Sequence, residues 1–115
     1  MQQPDPTTPL EIDCLGVKRK LDAGEEFLLV DCRERDEHQL VHLPAARLLP
    51  LSELAERVHE LEPHRNREIV IHCHHGGRSM KMTVWLRQQG FGNARSMAGG
   101  IDEWAEKIDP TLPRY

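Results

Sequence analysis

Ile69-Val70-Ile71-His72-Cys73-His74-His75-Gly76-Gly77-Arg78-Ser79 joins an apolar run to a cysteine and then to a glycine-bearing loop. A helix-like segment from Met80 to Gln89 follows it. A strand that ends on a cysteine, then a tight loop, then a helix makes a cradle for an anion. The loop amides turn inward, and the first helical turn adds unpaired donors and its positive dipole end. A thiol held there ionises easily: free cysteine has a pKa of about 8.5, and such surroundings lower it to roughly 3.5–7.5. The stretch therefore predicts nucleophilic sulfur chemistry at Cys73, on two conditions. Its sulfur must be reachable from solvent, and the loop amides must face it.

Working outward, the apolar run Phe27-Leu28-Leu29-Val30 closes on Asp31 and reads as a strand buried on both faces. Short strands are expected over Ala45 to Leu49, Glu68 to His72 and Arg95 to Met97. Helices are expected from Asp13 to Ala23, capped by Asp13 and stopped by Gly24, and after Ser52, with Leu54, Val58 and Leu61 at helical spacing and Pro63 beyond the end. Gly99-Gly100 turns into a last helix that holds Trp104. Strands alternating with helices on short connections imply an α/β fold with a mostly parallel sheet covered on both faces. Ligands bind beyond the carboxyl ends of such strands. Asp31-Cys32-Arg33-Glu34 and the Cys73 loop both lie there, on one rim.

The 115-residue chain is 38% hydrophobic and 30% charged, which suits a globular protein. A chain of this size buries about two thirds of its unfolded surface, enough for one core. One domain over residues 10–115 is expected, behind a flexible leading segment 1–9 that carries three prolines. The net charge of −4 speaks against nucleic acid or an anionic membrane as a partner. No apolar stretch approaches the roughly 20 residues of a membrane span, and no secretory signal opens the chain. Cys14, Cys32 and Cys73 show no paired spacing, as suits free thiols in the cytoplasm. Four successive residues, His72 to His75, cannot converge on one tetrahedral ion, so no metal site is expected. No dinucleotide fingerprint is present.

Four landmarks in order give the chain a family likeness: Val30-Asp31-Cys32-Arg33-Glu34; His42-Leu43-Pro44 leading to Pro50-Leu51; Cys73 through Ser79; and Met97-Ala98-Gly99-Gly100 with Trp104. From about Ile12 to Trp104 the chain resembles a single-domain rhodanese, a sulfurtransferase module. The resemblance implies a rhodanese-like central sheet of about five short strands with helices on both faces. It also implies transfer of a sulfane sulfur from a donor such as thiosulfate to a thiophilic acceptor, which is cyanide, a thiol or a carrier protein. The sulfur travels as a Cys73 persulfide and no cofactor is needed. A desulfurase is a further candidate partner, and the oligomeric state is left open. Four residues separate Cys73 from Arg78, the spacing of the sulfur-transferring members; the related dual-specificity phosphatases have one more. Val41 and Ala45 stand where this family usually has glycine, and Cys32 stands where valine is common.

Within that frame Cys73 is the expected nucleophile. Gly76 and Gly77 let the backbone approach closely, and Ser79 caps the helix. Arg78 either braces the loop against a carboxylate such as Glu34 or points at an anionic donor. His74 and His75 either assist donor binding or form loop surface that offers only amides. Asp31, Arg33 and Glu34 read as supports. Cys32 is either a small buried hydrophobe or a thiol that resolves the persulfide by a disulfide with Cys73. Three other functional classes compete: a phosphatase or arsenate reductase on the same loop, a non-catalytic interaction module, and a redox sensor.

Overall fold

Successive side chains of a strand leave on opposite faces, so continuous apolar runs demand cover on both sides of a sheet. The computed structural model, which describes residues 8–115, meets that demand with one five-stranded, all-parallel sheet. The elements are β1 (Glu11–Ile12), α1 (Cys14–Asp22), β2 (Leu28–Asp31), α2 (Arg35–Leu40), β3 (Arg47–Leu48), α3 (Leu54–Arg57), β4 (Ile69–His72), α4 (Gly77–Gln88), β5 (Ala94–Met97) and α5 (Gly100–Lys107). The strands lie in the order β1-β5-β4-β2-β3. On one face Val30, Ile69 and Ile71 pack with Leu61, Met82 and Leu86. On the other, Leu29 and Val70 pack with Val17, Ile101 and Trp104.

Most expected elements are present with shifted bounds, and the shifts have local causes. Asp13 caps α1 by accepting the Gly16 amide at 2.7 Å, and Gly24 takes φ +65° beyond its end. α4 starts at Gly77, three residues before the expected Met80, because Gly76 at φ +119° turns the chain directly into the helix. Ser79 is therefore inside the first turn and is not the cap. The helix expected after Ser52 is the single turn α3 between two 3₁₀ stretches, Leu51–Glu53 and Val58–His64, and Pro63 lies within the second. Ser52 caps nothing; its hydroxyl donates to Glu34 at 2.9 and 3.0 Å. β1 and α2 were not expected as elements. The leading segment 1–9 lies outside the described residues up to residue 7, while the Thr8 and Pro9 carbonyls accept hydrogen bonds from Arg87 and Arg95. No helix among the described residues is long and apolar enough to cross a membrane.

The register that matters most pairs Asp31 of β2 with His72 of β4. It aligns the ends of the two strands, so the next residues, Cys32 and Cys73, are neighbours, and the Cys32 amide donates to the His72 carbonyl at 3.0 Å. Beside them Arg33 is fully buried against Asp31, with Nε to Oδ1 at 2.9 Å and Nη2 to Oδ2 at 2.8 Å. Arg33 Nη2 also reaches the Val41 carbonyl at 2.6 Å, which fixes the chain after α2. Val41 sits there in extended backbone, φ −160°, which any residue adopts, so the glycine usual in the family is not required. Burial pushes the Asp31 carboxyl up, but hydrogen bonds from Arg33 and His38 overcome it and hold the group at about 2.

Breaking a buried pair strands the remaining charge and costs about 3–5 kcal/mol. Arg33→Leu should therefore lower the urea stability of the fold by that order; a change within about 0.5 kcal/mol, the range of ordinary surface substitutions, would contradict it. The Asp31 contribution is complete above the unfolded carboxyl value of about 3.9. It should be lost as pH falls through about 2.

Candidate active site

The Cys73 sulfur lies at the head of the loop between β4 and α4, and hydrogen-bond donors converge on it. The Gly76 amide donates to Sγ at 3.0 Å and the Ser79 amide, in the first turn of α4, at 3.4 Å. The Ser79 hydroxyl lies 3.5 Å from Sγ and 2.7 Å from the hydroxyl of Ser96, a fully buried residue of β5. The Ser79 hydroxyl also donates to the Gly76 carbonyl at 3.1 Å, which ties the first turn of α4 back to the loop. The Gly77 and Arg78 amides, in the same first turn, have no intrahelical partner.

Carbonyl groups of the loop are tied the other way. The Ile101 amide donates to the Cys73 carbonyl at 2.9 Å and the Asp102 amide to the His74 carbonyl at 3.1 Å, both from the first turn of α5. This approach needs Gly99 and Gly100, at φ +82° and +63°. A Cβ on Gly100 would overlap the His74 and Cys73 carbonyls. The glycine pair is thus part of the site and not only a turn.

Charge at the sulfur follows from these contacts. The Cys32 thiol beside Cys73 has the largest effect; burial opposes it, and Ser79 and Gly76 add to it, so the Cys73 thiol falls to about 4. Cys32 moves the opposite way, well above the usual thiol range, because the ionisable Cys73 sulfur beside it and its own burial both favour the neutral thiol. Cys14 packs on the far face with Trp104, and burial raises it to about 12.

One of the two sequence conditions fails in the resting structure. The amides face the sulfur, but Cys73 keeps only 1% of its surface exposed. Its neighbours come from four directions: a loop amide, a helix amide, a serine hydroxyl and the Cys32 thiol.

Arg78 braces the loop, but through Glu37 and not Glu34. Its Nη1 and Nη2 donate to Glu37 Oε1 and Oε2 at 2.6 and 2.9 Å. Glu37 reaches this position because α2 opens with a reciprocal cap in which Glu37 accepts the Glu34 amide at 3.1 Å. Arg78, and then the Tyr115 hydroxyl, hold the Glu37 carboxyl at about 2 against the effect of burial. Glu34 binds Ser52 and does not touch the loop cation.

Tyr115, Ser96 and Glu37 were not singled out by sequence reasoning. Tyr115 accepts from Arg33 Nη1 at 2.9 Å, donates to Glu37 at 2.7 Å and stacks on His74, with centroids 3.9 Å apart and planes at 5°. His74 is held between that ring and His75, whose centroid is also 3.9 Å away. His74 Nε2 is buried with no hydrogen-bond partner, while the His75 side chain is exposed. Neither Glu37 nor Tyr115 carried a sequence signal: a glutamate at position 34 is not among the usual residues that open a capping box. Among the described residues no three His, Cys, Asp or Glu side chains converge as a metal site would require.

Residues 16–107 match the family described as Rhodanese-like domain. The chain belongs to that family. A sulfurtransferase of Allochromatium vinosum is 36% identical over 83% of this rhodanese-like chain and 87% of its own length. An adenylyltransferase and sulfurtransferase of maize, MOCS3-2, is 32% identical over 90% of the chain but only 23% of its own length. The chain spans between 23% and 52% of the length of the first five curated relatives it matches. The solved human single-domain sulfurtransferase TSTD1 superposes with a TM-score of 0.75 at 28% identity, covering 86% of this chain and 97% of that one. The five-stranded parallel sheet of this rhodanese-like protein is the fold those neighbours share.

Gly24 and Gly100 supply a matched pair for testing the α5 contact. Both sit near φ +65°, but a Cβ on Gly24 meets nothing. Gly24→Ala should cost about 1–2 kcal/mol, the strain of a left-handed residue. Gly100→Ala should cost clearly more and raise the Cys73 pKa. Equal losses, with an unchanged thiol, would mean that the α5 turn does not shape the cradle.

Proposed function

We propose that the chain is a sulfurtransferase in which Cys73 carries the sulfur. The thiolate attacks the outer sulfur of a donor such as thiosulfate and releases sulfite, which leaves a Cys73 persulfide. A thiophilic acceptor then takes the sulfur, cyanide in the test tube and a thiol or a carrier protein in the cell. Splitting one transfer into two displacements is covalent catalysis, and it brings ping-pong kinetics. A single observation carries the reading. The sulfur of Cys73 receives the amides of Gly76 and Ser79, donors that favour its anionic form.

The outer sulfur of a persulfide is itself an anion. The unpaired amides of Gly77 and Arg78, at the positive end of α4, suit that charge as fixed dipoles that need no rearrangement. Because Cys73 is enclosed at rest, donor entry requires the stretch from His74 to Gly77 to move outward. His75 and Gly77 are the exposed members of that stretch. The Glu37–Arg78 pair holds its far end while it moves. A Bacillus subtilis relative named a putative sulfur carrier protein supports a carrier protein as the natural acceptor.

The test is an intact mass after incubation with thiosulfate. The parent protein should gain one sulfur atom, Cys73→Ser should gain none, and adding cyanide should release thiocyanate from the parent alone. Hydrolysis of an aryl phosphate without any sulfur gain would overturn the reading.

A further inference from the structure

Cys32 has no part in the displacement chemistry above, yet it lies against the nucleophile. Asp31 and His72 are register partners, so Cys32 and Cys73 extend neighbouring parallel strands about 4.8 Å apart. That spacing falls inside the Cα window of roughly 4.4–6.8 Å in which a disulfide closes without backbone movement. Both side chains belong to one core cluster on one face of the sheet, with exposures of 0% and 1%. Both thiols are free in this structure. The third cysteine, Cys14, belongs to the cluster on the other face. The pairing is therefore specific to Cys32 and Cys73.

We propose that Cys32 is a resolving thiol that gives the protein a second outlet, the release of its sulfane sulfur as hydrosulfide. The proposal rests on the persulfide reading above. In the step, Cys32 Sγ attacks Cys73 Sγ and the Cys73 Sγ–outer sulfur bond breaks. The outer sulfur leaves as hydrosulfide, taking the bonding pair and the proton of the Cys32 thiol. A Cys32–Cys73 disulfide remains. The sulfane sulfur gains two electrons, formally one from each cysteine sulfur, so no outside oxidant enters. A low-molecular-weight thiol then reduces the disulfide by ordinary exchange and resets the site.

The directions of approach suit this displacement. The cradle donors reach Cys73 from the loop and from α4, whereas Cys32 reaches it from β2. The attacking sulfur thus comes from the strand side and the leaving sulfur sits among the amides. The outer persulfide sulfur, an anion, takes the proton of the Cys32 thiol, so a thiolate makes the attack and the leaving sulfur departs already protonated. A cellular acceptor that arrives quickly takes the sulfur first; without one, the internal thiol clears it.

The experiment loads the full chain with thiosulfate, removes the excess and withholds any acceptor. Intact mass, hydrosulfide and peptide maps are then followed in the parent, in Cys32→Ser and in Cys32→Val. In the parent, the added sulfur should disappear as hydrosulfide appears, and a peptide pair linked through Cys32 and Cys73 should form. In both variants the persulfide should persist at least about tenfold longer, since no thiol is in reach. A parent persulfide as durable as that of the variants, or hydrosulfide release without the linked peptides, would overturn the proposal and leave the sulfurtransferase reading intact. Absence of any persulfide in all three proteins would overturn both. The peptide map of the parent decides the question even if a variant fails to fold.

Discussion

Two hydrogen bonds decide which way the Cys73 loop faces. The Ile101 and Asp102 amides hold the Cys73 and His74 carbonyls toward α5. With those carbonyls turned away, the later loop amides are free to point at the sulfur. The geometry depends on two glycines in left-handed backbone, because any side chain on Gly100 would fill the space the carbonyls occupy. The helix that follows β5 thereby orients the loop around a sulfur presented by the strand beside it. Anionic sulfur, enclosed and surrounded by fixed dipoles, is the electrostatic arrangement that needs least reorganisation during transfer.

A second set of contacts holds the rim. Asp31 and Arg33 form a fully buried pair at the end of β2, and Arg33 reaches on to Tyr115. Tyr115 in turn meets Glu37, and Glu37 grips Arg78. The end of β2, the start of α2 and the first turn of α4 are thus joined by one chain of charge-assisted hydrogen bonds. Such bonds are shorter and stronger than neutral ones. They tie the far side of the loop to α2, whereas the near side, around His75, is exposed.

Much of this was legible from residue types alone. The β4–loop–α4 unit could be read because an apolar run, a cysteine and a glycine pair are strong local signals. The sheet class followed from the alternation of apolar runs with helical spacing. α2 was not read as a helix because its six residues bury nothing, so it has no apolar stripe to see. β1 has only two residues, too few for a period. Arg78 was expected to pair with a carboxylate such as Glu34 or to face an anionic donor, and it pairs with Glu37; choosing between two carboxylates three residues apart needs the direction of the helix between them. Ser79 was expected as a cap, and Gly76 takes that place because only a glycine turns the loop so sharply. Tyr115 was beyond reach, since its contact with Glu37 spans 78 positions and depends on the whole fold closing first.

The central claim is electrostatic: the loop and its neighbours keep Cys73 ionised far below the range of a free thiol. Titrating the ultraviolet absorbance of thiolate from about pH 3 to about pH 8, in the parent and in Cys73→Ser, tests it directly. The parent should show one thiolate appearing with a midpoint near the value of about 4 set by Cys32, Ser79 and Gly76, and Cys73→Ser should show none in that range. A Cys73 transition near the free-cysteine value of about 8.5 would contradict the account.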